Sequence, residues 1–374
     1  MLNTIFKSFL GNAPDWYKSS ILLFLLVNPL IYFYFDFIGV NPGFLLGWIV
    51  LLQFIFTLIF SIQCYPLQPG GLIAFQSLLL GLTDPYHVLH EIESNLEVIL
   101  LLVFMVSAIF FMKNLLMVIF TKLLQRVKSK ILLSLLFVIS AAFLSAFLDA
   151  LTVTAVLITV MVGFYHVFQN SFKNNEITKN EFEQVKSFLT DIMMHGAVGT
   201  ALGGVCTIVG EPQNLLIADK AGWEFMEFFY RMAPVTMPVL IAGLICCVLI
   251  EKFKVFSYGH QMSDKLRNKI IANAEKVDAD RTEMEKLHLV FEAILGLCLI
   301  FALGLHLAPV GIIGLFLMVF LTAFKGITEE HQLGGAFKES LPFTSLLVIF
   351  FVVVAVINDQ SLFTPVINLV LASS

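Results

Sequence analysis

Between Lys130 and Lys173 the chain runs for more than forty residues with a single charged side chain, Asp149. No other feature limits the fold as tightly. As one α-helix, 131–168 would measure roughly 57 Å, nearly twice the ~30 Å hydrocarbon core of a bilayer. The stretch must fold back near Asp149, either as two full helices with almost no loop or as a re-entrant hairpin. An ionised carboxylate at membrane depth costs about 3 kcal/mol on insertion scales, and more on an isolated helix. A chain that keeps one there is using it, and ion or proton movement is the use that fits. The competing reading is an acid that stays protonated and caps a helix end, with nearby threonines bonded back to carbonyls.

Composition sets the class. Hydrophobic residues make up 59% of the 374 and charged residues 13%, against about 45–50% and about 25% in soluble domains. The expectation is an all-α polytopic membrane protein whose first partner is the lipid bilayer. The net charge of -5 says little about nucleic acid, but no basic arm or zinc-type Cys/His spacing occurs, and no nucleic-acid partner is expected. No HExxH or other intramembrane hydrolase spacing occurs, so the chain is expected not to be an enzyme and to need no cofactor. The five cysteines read as small buried hydrophobes, not a disulfide framework. The residues before Ile21 are too polar for a cleavable signal peptide, so the first apolar span would insert the chain.

Candidate spans are 21–38, 44–62, 66–82, 96–119, 191–218, 233–250, 289–307, 309–325 and 341–357, with the hairpin at 131–168 and a tail at 361–374. The span 66–82 enters through Pro66, Pro69, Gly70 and Gly71 and is expected to be only partly helical. Lys122, Arg126, Lys128 and Lys130 form a basic segment without acids, which places it in the cytoplasm. Counting spans from there puts 169–190, 251–287 and the N-terminus inside and 83–95 outside. GLIAFQSLLLGLT (71–83) is similar to GIIGLFLMVFLTAFKGIT (311–328), and 94–110 to 339–355. The copies would run in opposite directions, the pattern of inverted-repeat secondary transporters. The organisation expected is an N-terminal segment with the first helix (1–43), a first repeat (44–250) with the hairpin 131–168 and a broken helix 191–218, a charged cytoplasmic segment (251–288), and an incomplete second repeat (289–374).

The broken helix is HGAVGTALGGVCTIVGEPQNLLI (195–217). Gly203, Gly204, Gly210 and Pro212 interrupt it, and Thr207, Glu211, Gln213 and Asn214 are polar within it. Backbone groups freed in this way are tolerated only inside protein or beside a wet cavity. Carbonyls with Thr and Asn oxygens make a cation site, as in discontinuous transporter helices. The competing reading is helix packing through Gly199 and Gly203, which leaves GEPQN unexplained. Asp149 would alternate between a proton and a metal cation, with Thr152 and the break supplying neutral oxygens. His195 is expected at a helix end near the interface, Glu97 at headgroup level, and Asp359 at an outer helix end.

The segments GNAPDWYK (11–18), CYPLQPGG (64–71), SNLEVILLLVFMVSAIFFMK (94–113), AFLSAFLDALTV (142–153), GTALGGVCTIVGEPQNLLIADKAGW (199–223), GITEEH (326–331) and ESLPFTSLL (339–347) carry a resemblance to the NhaB sodium/proton antiporters of bacterial inner membranes. It covers essentially the whole chain. It implies a multi-pass inner-membrane protein that extrudes Na+ in exchange for H+, with Asp149 on the family's hairpin acid and Thr207 to Asn214 on its first interrupted helix. Family members continue beyond the position of Ser374 with a second hairpin and a second broken helix, so half of the site is expected to lie outside this chain. Two rival readings stay open: an anion permease of the same superfold for a dicarboxylate or oxyanion, and a truncated fragment that transports nothing. Assembly as a homodimer stays open as well.

Overall fold

The computed structural model describes residues 2–148 and 150–373; Met1, Asp149 and Ser374 lie outside the described residues. Among the described residues the regular structure is all helical, with no strand. In order it forms α1 (Leu2–Ser8), α2 (Asp15–Phe37), α3 (Gly43–Ile59), α4 (Leu67–Leu79), α5 (Pro85–Ser94) and α6 (Leu96–Leu100). A π-helical turn (Leu101–Met105) leads into α7 (Val106–Phe110), α8 (Lys113–Arg126), α9 (Lys130–Phe147), α10 (Ala150–Lys173) and α11 (Lys179–Gly204). Then follow α12 (Pro212–Ala221), α13 (Phe225–Phe253), α14 (Asp264–Ala279), α15 (Glu283–Gly304), α16 (Val310–Phe324), α17 (Glu330–Asp359) and α18 (Thr364–Ser373). Among the described residues six helices are long and apolar enough to cross a membrane: α2, α9, α10, α13, α15 and the second part of α17.

Two compact units divide the chain, one of residues 1–99 with 341–374 and the other of residues 100–340. In the first, α2, α3 and α4 are pinned by buried amides. Asn28 and Gln53 exchange two hydrogen bonds of 2.8 Å, and Asn28 Nδ2 also donates to Gln76 Oε1 at 2.9 Å. Pro29 explains the third member. It lies inside α2 and has no N–H, so the carbonyl four residues earlier, Leu25, loses its helical partner. Gln76 Nε2 donates to that carbonyl at 2.5 Å. The proline bend and the α4 glutamine are therefore one device. The 66–82 span, expected to be partly helical, is a regular but short helix from Leu67, because Pro66 falls at its N-cap, where a missing N–H costs nothing.

The second unit corrects the expectation of one continuous helix over 96–119. The π-helical turn Leu101–Met105 interrupts it first. There α16 comes close: a Cβ on Gly314 would stand 2.7 Å from the Met105 nitrogen. A second interruption falls at Phe111 and Met112, and two charges from elsewhere satisfy its ends. Lys325 Nζ donates to the Phe111 carbonyl at 2.6 Å, Glu292 Oε2 accepts from the Leu115 N–H at 2.9 Å, and the two side chains pair at 2.7 Å. The cation closes a helix C-terminus and the anion an N-terminus, each on the end its charge favours. The charged segment 251–287 also holds a helix of its own, α14, which packs on α8. Its Arg267 donates to the Gln125 and Val127 carbonyls at 3.3 and 2.6 Å.

Replacing Gln76 by Leu leaves the partly buried Leu25 carbonyl without this donor. The expected loss is about 1–3 kcal/mol, read as a lower midpoint of thermal unfolding in detergent; an unchanged midpoint would contradict this role.

Candidate functional site

The site is built on α9, α10 and α11. α9 and α10 are separated by two residues and measure roughly 27 and 36 Å at 1.5 Å per residue. Both pass for crossing helices by length and composition, the dimensions of the two-helix alternative for 131–168. α11 packs along both of them. Its contacts with α9 advance together, Gly199 against Val138 and Gly203 against Ala142, so these helices run parallel. Against α10 the order reverses, with Gly196 on Leu157 and Thr200 on Thr154, so that pair is antiparallel. A Cβ on Gly199 would stand 2.5 Å from the Val138 carbonyl oxygen, and one on Gly203 would overlap the Ala142 backbone. The glycines are thus what brings the two backbones together.

The expected break is present. α11 ends at Gly204, α12 begins at Pro212, and the seven residues between them are not helical. Pro212 occupies the first helical position, where its fixed φ is already helical. The freed backbone groups are satisfied locally. Asn214 Nδ2 donates to the carbonyls of Gly204 and Thr207 at 2.9 and 2.8 Å. With both Nδ2 hydrogens so used, Oδ1 is the one atom of that side chain able to ligate a cation. Thr207 donates its hydroxyl to the Ala146 carbonyl in the last turn of α9 and accepts from the Gly210 N–H at 3.3 Å.

One more bond ties the break to the helix reversal: Ala150 N–H donates to the Gly210 carbonyl at 3.3 Å. The Glu211 carboxylate lies over Gly204 and accepts from Gln213 Nε2 at 3.4 Å. The structure therefore brings Thr207, Asn214, Glu211, Gly203, Gly204 and Gly210 together with the start of α10. Thr152 is in the first turn of α10 and half-buried. Asp149, the central expected residue, lies outside the described residues; its described neighbours are Leu148, in an extended conformation, and Ala150.

Some participants escaped the sequence reading. Ser145 Oγ donates to the Thr200 carbonyl at 2.7 Å, and the Thr154 and Thr200 hydroxyls meet at 3.0 Å. Ser145 stands four residues before Asp149 in the sequence, and that nearness was the available signal. His195 departs from its expected place. It lies well inside α11, is buried, and sits 2.9 Å from Glu251 of α13. A cavity of about 610 Å³ opens beside the break, lined by Ala142, Phe147, Gly203, Cys206, Phe225 and Leu244 among others. Its one hydroxyl, that of Thr207, is bonded to Ala146. The cavity is too apolar to carry an ion, which turns attention to the polar seam between the break and the α9–α10 junction.

A family model described as bacterial Na+/H+ antiporter B (NhaB) matches residues 1–374. The Na+/H+ antiporter NhaB of Yersinia enterocolitica is 52% identical over 99% of the chain and 72% of its own length. That of Photorhabdus laumondii is 52% identical over 100% and 74%, and that of Teredinibacter turnerae 51% identical over 98% and 74%.

Gly203→Ala should force α9 and α11 apart and cost about 1–3 kcal/mol. Gly163→Ala in α10, where a Cβ meets nothing within 4 Å, should be neutral or stabilising by up to ~1 kcal/mol. Thermal unfolding of the two variants side by side checks the contrast, and equal midpoints would refute it.

Proposed function

From the premise that this chain belongs to the bacterial Na+/H+ antiporter B (NhaB) family, we propose that Na+ and H+ compete for Asp149 at the junction of α9 with α10 and the α11–α12 break. The protein is a multi-pass Na+/H+ antiporter of a bacterial inner membrane. Its transported ions are Na+ and H+. In this reading the Asp149 carboxyl is neutral when it carries a proton. When it gives the proton up, the carboxylate takes Na+ in its place, and the charge at membrane depth is never left without a counter-ion.

A sodium ion needs several oxygens, and one carboxylate supplies two at most. The Thr152 hydroxyl, the Asn214 Oδ1, the Glu211 carboxylate and the second lone pair of Thr207 are the oxygens assigned to complete the shell. The observation that carries the assignment is the bonding around the acid's position. Ala150, the next residue, bonds to Gly210, and Ala146, three residues earlier, takes the Thr207 hydroxyl. Carbonyls of an unwound segment, held by Asn214 in fixed directions, are a recurring way to bind Na+ within a membrane. Gly203, Gly204, Gly210 and Pro212 serve by making the break. The inverted-repeat organisation belongs to the same proposal and rests on the likeness of 71–83 to 311–328.

The test is sodium-dependent proton flux in proteoliposomes. The unaltered chain should exchange Na+ for H+ more actively as pH rises, and Asp149→Asn should lower that exchange at least about 100-fold, as expected for loss of the ligand that trades its proton for the ion. Exchange at the normal rate by Asp149→Asn would sink the assignment. Asn214→Ala tests the break and should raise the half-saturating Na+ concentration.

A further inference from the structure

At the opposite end of the α9–α11 contact from the break lies a second polar centre, which the exchange site does not use. Glu251 near the end of α13 is fully buried, and its Oε1 takes three donors: His195 Nε2 at 2.9 Å, Ser134 Oγ at 2.8 Å and Lys130 Nζ at 3.5 Å. Its Oε2 is buried and has no hydrogen-bond partner among the described residues. Lys130 also reaches Asp191 at 3.3 Å, and Asp191 accepts from the His260 N–H and meets His260 Nδ1, both at 3.1 Å. The contacts form an unbroken line from His260, 38% exposed, to His195, 6% exposed. A cavity of about 290 Å³ opens beside Lys130 and is lined also by Lys128 and Arg267.

The charges do not balance. Two carboxylates, Asp191 and Glu251, face one ammonium, Lys130, which leaves one net negative charge among buried groups when both imidazoles are neutral. A single proton on an imidazole cancels it, and imidazole is the side chain that gains or loses a proton near neutral pH. Lys128 and Arg267 line the cavity beside Lys130 but pair with neither carboxylate, Arg267 being bonded to the Gln125 and Val127 carbonyls; the remaining titratable groups facing the pair carry no charge. Cys247 precedes Glu251 by one helical turn. The Tyr258 ring lies 4.8 Å from that of His195, and burial, with Asp191 and Glu251 nearby, pushes its hydroxyl up and keeps it neutral.

We propose that His195 and Glu251 form a second proton-binding site, filled from the α13–α14 loop through His260 and Asp191, whose occupancy sets the pH at which exchange switches on. The inference rests on the exchange reading above. With the proton bound, the centre is neutral and clamps the start of α9, the middle of α11 and the end of α13 together. Without it, a net negative charge stands in a dry interior, and the cost is relieved when these helices part or admit water. Because Gly199 and Gly203 hold α9 and α11 backbone to backbone, a change at this end is passed along the pair to the break. Loss of the proton at alkaline pH thus frees α11 to move during exchange.

Two substitutions separate this role from a structural one because they change the charge in opposite senses. His195→Gln keeps an N–H donor towards Glu251 but cannot take the proton, so the pH profile of exchange in proteoliposomes should move to lower pH by about half a unit or more. Glu251→Gln removes the uncompensated charge, so the profile should move to higher pH; Asp191→Asn makes the same charge change should Glu251→Gln fail to fold. Midpoints that stay with the unaltered protein, or that move in the same direction, overturn the proposal while leaving the Asp149 reading intact. Absence of sodium–proton exchange in the unaltered protein would count against both.

Discussion

A backbone group freed inside a bilayer must find its partner within the protein, and three irregularities in this chain carry the partner that constraint demands. Pro29 frees the Leu25 carbonyl, and Gln76 takes it. The Phe111–Met112 interruption frees a carbonyl and an amide, and Lys325 and Glu292 take one each. The α11–α12 break frees several groups, and Asn214 and Thr207 take them. These polar side chains are therefore placed where the helices fail. The same irregularities leave oxygen atoms in fixed directions, which a transported cation needs.

The α9–α11 contact gives that chemistry a frame. Two parallel helices held together at Gly199 and Gly203 carry the break at one end and the Lys130–Asp191–Glu251–His195 centre at the other. A backbone-to-backbone contact cannot be stretched in small steps without losing its packing, so it moves as a unit or separates. In the coupling proposed, an event that alters charge at one end is felt at the other through this contact, without any intervening polar chain. Burial of an ion pair adds little stability by itself, and removing one member of such a pair is costly, which suits a switch better than a scaffold.

Much of this was legible in the sequence where the signal is local. The length of 131–168 required a reversal, and Gly203, Gly204, Gly210 and Pro212 required a break, because length, glycine and proline act on the chain that contains them. The interrupted 96–119 segment was not legible: its π-helical turn falls in LLVFM, with no glycine or proline, and answers to Gly311 and Gly314 of α16. Glu292 and Glu251 carried no signal in the sequence, since their partners, Lys325, Lys130 and His195, come from distant parts of the chain. His195 was misplaced for the same reason. Ser145 and Thr200 carry small hydroxyls common in membrane helices, and only the meeting of α9 and α11 gives them a role.

The central claim is that one carboxyl group holds a proton and a sodium ion in turn. It is tested most directly by adding Na+ to the purified protein in weakly buffered detergent at alkaline pH and measuring the protons set free. Saturable proton release by the unaltered chain, absent in Asp149→Asn, is the predicted result. Sodium binding without proton release, or equal release by both proteins, would contradict it.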